Sequence, residues 1–326
     1  MELDRRDFLK TVGTATATAL LPATEVAEAA SAPEKYAPAF RQFLSVDGNP
    51  YDETFDLIGG NYRGEVTTSY LGPANVSKKS ISAVGVEEVT VAVGIGLSVG
   101  VYQWIIATMG RSYGPRSGDM VSADAQGNMR SHTTFFNAVI SKVVFPPLDT
   151  RDKTPATIAL SFLPASIRKT VPDPGVKVTG SKPKALMVSN FRLSISGLEA
   201  SCAKVTQIES ISISRDFTDS LAVLNGSPLN VSDLVFYCPE EFADDFVAFA
   251  DDFLGNGHHL ETNEKTGTLE FLAPDKKSVY MTINFFGLGI YGCTLEGGSL
   301  KNAAERLMKV TMYCETVSMT VSNTSG

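Results

Sequence analysis

The sequence predicts an α+β protein that is mainly β: two tandem sandwich- or barrel-like domains, each with one flanking helix. Three observations predict it. Elements of the first half recur in the second, in the same order, at an offset of about 150 residues. Most of these elements alternate apolar and polar residues with the period of two that marks a half-buried strand. Each copy also holds one segment with helical spacing.

A chain of 326 residues is long enough for two domains, each with its own core. Hydrophobic residues at 43% and charged residues at 20% are globular values. The net charge of −8 repels phosphate and argues against direct, sequence-specific nucleic-acid binding.

At the start, DRRDFLK (4–10) precedes a short, weakly apolar stretch, TVGTATATALLPA (11–23), and a small-x-small site, AEA (27–29). That is the layout of a secretory signal. Through Arg5, Arg6, Phe8, Leu9 and Lys10 it resembles the twin-arginine export pattern, departing from it at Asp4, where Ser or Thr is expected. The stretch is too short and too rich in Thr to span a bilayer. The resemblance implies that the twin-arginine machinery exports an already folded protein to the periplasm, cell surface or medium. The alternative is an amphipathic arm that stays on a cytoplasmic protein. Residues 1–29 are read as the signal and 30–38 as a disordered arm.

The first domain is placed at 39–168 and the second at 188–326, with a Pro-, Gly- and Lys-rich linker at 169–187 that argues against regular structure. FLSVDG (43–48) matches RLSISG (192–197). TTFFNAVISKVVFPPLD (133–149) matches TINFFGLGIYGCTLEGG (282–298), and ATIALSFLP (156–164) sits opposite KVTMYCE (309–315). Val89, Val91, Val93 and Ile95 alternate as a strand does, and so do Ala156, Ile158, Leu160 and Phe162. Turn residues divide two hairpins, ADAQGN (123–128) in the first copy and APDKK in the second.

The first helix is SVGVYQWIIATMG (98–110), with Val101, Trp104, Ile105 and Thr108 on one face. The second is PEEFADDFVAFADDFLG (239–255), with Phe242, Phe246, Phe249 and Phe253 as its core stripe. Pro239 and the two glutamates suit its first turn, and Gly255 its end.

Chemical motifs are scarce. Gly94, Gly96 and Gly100 lie between a strand and a helix, as in a dinucleotide fingerprint. The third glycine falls one residue late, and RSYGPRSGD follows the helix in place of a strand ending in an acid. Asp244, Asp245, Asp251 and Asp252, near His258 and His259, read as a solvated acidic face rather than a metal site. His132 is the remaining histidine. No HExxH, GxSxG or Walker loop occurs. No catalytic, cofactor-binding or metal-ligating residue is assigned, and no cofactor is expected. Cys202, Cys238, Cys293 and Cys314 lack CxxC spacing and read as buried thiols, one disulfide remaining the alternative.

EEVTVAVGIGLSVGVYQWI, FFNAVISKVVFPPLD and TPATIALSFLP in the first copy are similar to the tail-tube proteins of contractile phages of the T-even type and of related injection machines. So are FADDFVAFADDFLGNG, EKTGTLEFLAPDKKSVYMTINFFGLGIY and VTMYCETV in the second. The resemblance runs from about Ala39 to about Val321. It implies tandem tail-tube-like β-sandwich or barrel domains with a structural, non-enzymatic role, in rings that stack into a hollow tube. With two copies per chain, three chains would supply six domains. The partners so implied are further copies of this chain and sheath- or baseplate-like proteins. The alternative is an exported ligand-binding protein or enzyme that reuses the fold without making tubes.

Overall fold

The computed structural model describes residues 40–71, 73, 75–110, 113–173, 175–182, 184–217, 227–296 and 306–322, so the export signal and the arm of 30–38 lie outside the described residues. Strands dominate and helices are few. In the first half β1 (Phe40–Val46), β2 (Asp52–Thr54) and β3 (Asp56–Gly59) lead into a long hairpin, β4 (Tyr62–Leu71) and β5 (Val76–Val86). After β6 (Val89–Val93) come helix α1 (Val99–Met109), β7 (Arg116–Asp124), β8 (Met129–Phe145) and β9 (Leu148–Asp149). β10 (Pro155–Ala156), β11 (Ile158–Leu163) and β12 (Ser166–Thr170) follow.

The second half begins with β13 (Leu186–Met187), β14 (Phe191–Ile195), the short helix α2 (Glu199–Cys202) and β15 (Gln207–Ile208). β16 (Ile211–Arg215), β17 (Leu229–Val231), β18 (Leu234–Pro239) and helix α3 (Asp244–Ala250) come next. β19 (Lys265–Leu272), β20 (Val279–Glu296) and β21 (Leu307–Val321) close the chain.

One sheet runs β2-β1-β7-β8-β11-β6-β3, with β12 and β16 joined to β8 and β17 to β16; the other runs β14-β19-β20-β21-β18-β15-β9. Both contain the same order of five strands: β1-β7-β8-β11-β6 and β14-β19-β20-β21-β18. In each set a helix follows the second strand in sequence, α1 after β6 and α3 after β18. The irregularities recur as well. A bulge opposes Arg116 and Gly118 to Ala138 and Phe135, and another opposes Lys265 and Gly267 to Leu288 and Phe285. A second bulge opposes Ile140 and Lys142 to Phe162 and Ser161, matched by Ile290 and Gly292 opposite Met312 and Thr311. Asn137 (φ 50°) and Gly287 (φ 65°) take the left-handed conformation one residue past each Phe-Phe pair. A left-handed residue is one way in which a bulge re-aims its strand.

Local sequence accounts for these elements. In β6 and β11 every second residue is buried, which sends Val89, Val91, Val93, Ile158, Leu160 and Phe162 inward. Both expected hairpins form, β7–β8 and β19–β20, and each turn is tied by one carboxylate. Asp124 accepts bonds from the Gln126 and Asn128 backbone N–H groups at 3.0 and 2.9 Å. Asp275 does the same for Lys277 and Ser278, both at 2.9 Å.

The main core is continuous across the two halves. Trp104 on α1 stacks on Phe135 at 6.2 Å and tilts against Phe162 at 5.2 Å, with Val101 and Ile105 buried beside it. Phe145 of β8 meets Phe271 of β19 at 5.7 Å, so the halves share apolar packing and not only a connection.

Three expectations need correction. The segment 239–255 is not one helix: a 3₁₀ turn at Glu240–Phe242 and a wider π-type turn at Asp251–Gly255 flank α3. Phe246 and Phe253 are buried and Phe249 is partly buried against the core, but Phe242 lies ahead of α3 and is 39% exposed. A change of hydrogen-bond pattern rotates the stripe, and Phe242 ends under the Lys204 ammonium, 4.9 Å from its ring centre. Ala156 lies in the separate two-residue strand β10, not in β11. The segment read as a linker begins inside β12 and is pinned along the first half through the Lys177–Asn128, Ser181–Asp52 and Lys184–Ile95 bridges.

Candidate functional site

The feature that sets this fold apart is how one half attaches to the other. β16 is a strand of the second half by sequence, yet it lies antiparallel along β8 of the first: Ile211 opposite Phe145, Ser212 opposite Val144, Ile213 opposite Val143 and Ser214 opposite Lys142. Its alternation decides the facing, with Ile211, Ile213 and Arg215 buried and Ser212 and Ser214 on the other side. β9 of the first half returns the exchange by pairing with β15 of the second. Gln207 donates from Nε2 to Asp149 Oδ2 at 2.8 Å across that pair.

Arg215 fastens this junction. It is 7% exposed, and its guanidinium donates to the Thr108 carbonyl from Nε at 2.8 Å, to the Gly110 carbonyl from Nη2 at 2.7 Å, and to the Ser227 carbonyl from Nη1. The first two carbonyls belong to the C-terminal end of α1, where the helix has acceptors to spare and its dipole favours a cation. The Tyr113 ring lies under the guanidinium at 4.1 Å. Burial pushes the Arg215 pKa down.

The counterpart of the β16–β17 hairpin in the first half is β4–β5, and it is bare. Its strands pair from Tyr62–Val86 to Leu71–Val76, and nearly every residue on both is exposed. Tyr62, Val66, Tyr70, Leu71, Ile81 and Val84 are all more than half exposed. Beyond its base, where Tyr62 donates to the Ile167 carbonyl at 2.8 Å, the ribbon stands away from the core. A two-stranded ribbon is marginal in water, and its outer edges offer unpaired N–H and C=O groups. Sequence patterning does not flag it, because Val, Thr, Ser and Tyr fall on both faces without a period. The one available signal is the strand-forming bias of VTTSYL and VSKKSISAV itself.

β20 offers a second open edge. Its first part lies between β19 and β21, but beyond Leu288 it pairs with β21 only among the described residues. Leu295 (41% exposed) and Tyr291 (48%) stand there.

The residues with chemical potential fall elsewhere and apart. His132 Nε2 lies 2.7 Å from Asp119 Oδ1, beside an open cleft of about 330 Å³. That cleft also draws in Arg130, Lys169 and Gln42, and among the described residues no Asp or Glu lines it. His258 Nδ1 lies 2.8 Å from Asp252 Oδ1 on the surface, and His258 together with Asn256 holds that carboxyl below the usual range. His259 packs edge-on to Phe253. Asp245 accepts from Ser201 Oγ at 2.8 Å. Among the described residues no group of three or more His, Cys, Asp or Glu could hold a metal ion.

All four cysteines are thiols. Burial pushes Cys202 up to about 12 and Cys314 up to about 11, and it also raises Cys293. Gly94 has a packing role: a Cβ there would overlap the Lys184 carbonyl, which accepts from Ile95 N at 2.6 Å.

No protein-family model matches the chain, and no curated protein matches it either. Solved structures match in part. One chain is from a cryo-EM structure of the sheath-tube complex of an extracellular contractile injection system, PVC, in the extended state: TM-score 0.36, 15% identity, 43% of this chain and 95% of that one. Another is from the anti-feeding prophage cap, a tube terminating cap, with TM-score 0.35, 12% identity, and 46% and 99% of the two chains. A third is from the PVC sheath/tube terminator in the extended state, with TM-score 0.33, 11% identity, and 42% and 99% coverage. The first and third belong to an extracellular contractile injection system, and the second to an anti-feeding prophage. Among the described residues no helix is long and apolar enough to cross a membrane.

Proposed function

We propose that this chain is a non-enzymatic structural subunit, an internal duplication of a tail-tube-like unit that self-associates head to tail. Three chains supply six units to a closed ring, and rings stack into a hollow tube of a phage-like or injection-type assembly. The mature protein does this after export by the twin-arginine route, with Arg5 and Arg6 serving export alone.

The observation that carries the reading is the junction of β16 with β8, in which a hairpin of one half extends the sheet of the other. The shared strand order and the two matched bulges support treating the halves as copies of one unit. A contact between unlike surfaces of like units is heterologous: it leaves one donor and one acceptor unused at the ends and makes a ring when the rotation closes. The bare β4–β5 hairpin and the open part of β20 are features of that kind.

The test is the mass of the purified mature protein by light scattering, with negative-stain imaging of the same sample. Three chains per particle and ring-shaped views are expected. A monomer that persists at high concentration overturns the reading.

A further inference from the structure

Resting on that reading, we infer that β4 of one copy pairs antiparallel with the open end of β20 of a second copy, with Tyr62 facing Cys293. The chain's own junction supplies the register. On the acceptor strands, Ile140 and Lys142 span the bulge opposite Phe162 and Ser161, as Ile290 and Gly292 do opposite Met312 and Thr311. Val143 and Cys293, the next residues along, therefore hold equivalent places.

On the donor strands, Leu57 pairs with Val91 and Ile208 with Phe236. Val91 and Phe236 face Leu160 and Val310, which match in the repeat, so Leu57 and Ile208 match too. Five residues on, Tyr62 pairs with Val86 and Ile213 with Val231, so the two hairpins start at equivalent pairs.

Within the chain Ile213 faces Val143. Between chains the same contact sets Tyr62 against Cys293, with Gly60 against Leu295, Asn61 against Thr294 and Arg63 against Gly292. Both partners are presented for it. β4 is exposed along its whole length, and Thr294, Leu295 and Glu296 are exposed on β20. Added strands satisfy the backbone groups of both edges and cover the apolar side chains of the ribbon. A second copy is the occupant because an equivalent contact already exists between the halves of one chain, with β16–β17 in the place of β4–β5 and β8 in the place of β20.

The experiment places a cysteine at Tyr62 in the full mature chain, leaves native Cys293 opposite it, and applies mild oxidation or a short bismaleimide. Non-reducing gels should show dimers and trimers, mass spectrometry should find residue 62 joined to residue 293, and Cys293→Ser should abolish the product. Asn61→Cys points to the other face of the strand and should cross-link at least roughly tenfold less. Equal yield from Asn61→Cys, or assembled wild-type rings whose Tyr62→Cys variant gives no such link, overturns the register and leaves the ring standing. A monomeric wild type overturns both. If Tyr62→Cys fails to fold, hydrogen exchange on the wild-type protein decides. Amides of 60–63 and 292–295 should slow together by roughly tenfold or more on assembly, and unchanged exchange at either segment refutes the pairing.

Discussion

Arg215 should be the most costly single side chain to lose at the junction of the two halves. Truncation to Ala removes three hydrogen bonds from a charged donor to the carbonyls of Thr108, Gly110 and Ser227. Such bonds contribute about 1.5–3 kcal/mol each in favourable settings. They do not add fully, since water enters the space and reaches some of the acceptors, so the expected loss is about 3–5 kcal/mol, from buried carbonyls left without a donor at roughly 1–3 kcal/mol each. In a chain of this size that lowers the melting temperature on the order of 10 °C. Urea denaturation followed by Trp104 fluorescence measures it, because Trp104 is the only tryptophan and sits on the helix that Arg215 clasps. Arg215→Lys keeps the charge but loses the planar fork, and should recover less than half of the loss. The control is Arg192→Ala, which breaks an exposed pair with Glu270 at 2.5 Å and should cost no more than about 1 kcal/mol. If Arg215→Ala costs less than about 1 kcal/mol, the junction is held by strand pairing and apolar packing and the reasoning fails.

Two glycines at matching bulges should differ in cost. A Cβ at Gly118 would overlap the Ser45 carbonyl, while one at Gly267 would sit 3.0 Å from Leu288 Cδ1 and 3.1 Å from the Ser194 carbonyl, so thermal melting should show Gly118→Ala losing about 2–3 kcal/mol and Gly267→Ala clearly less. Asp124 is held down at about 2, first by the Asn128 side chain and also by Arg130. Its contribution is therefore complete above the unfolded value of about 3.9 and is lost as pH falls through the folded value. Denaturation curves between those pH values should flatten in Asp124→Asn. Cys202, buried and pushed up to about 12, should resist iodoacetamide at pH 8 in the native protein and react once urea unfolds it, as peptide mapping would show.

Much of the architecture was legible in the residues. The alternation in β6 and β11, the turn residues at ADAQGN and APDKK, and the inward face of Val101, Trp104 and Ile105 are all local patterns. A buried face writes itself into spacing because the side chains on it must be apolar. The helix at 239–255 was legible in its apolar spacing but not in its hydrogen bonding, which changes twice and leaves Phe242 outside the core. The Asp244, Asp245 and Asp252 carboxylates also looked alike in sequence, though Asp245 bonds Ser201 and Asp252 bonds His258.

By itself the sequence determined the inward faces of β6, β11 and α1 and the places where two of the hairpins turn. Only the tertiary structure decided that β16 crosses to β8, that β4 and β5 stay bare, and that Arg215 reaches the end of α1. The reason is physical. Strand edges meet through backbone N–H and C=O groups that are the same in every residue but proline, so the choice of neighbour leaves almost no mark on composition. It is settled by the shape of the shared core, where Phe145 and Phe271 come together from positions more than a hundred residues apart in the chain.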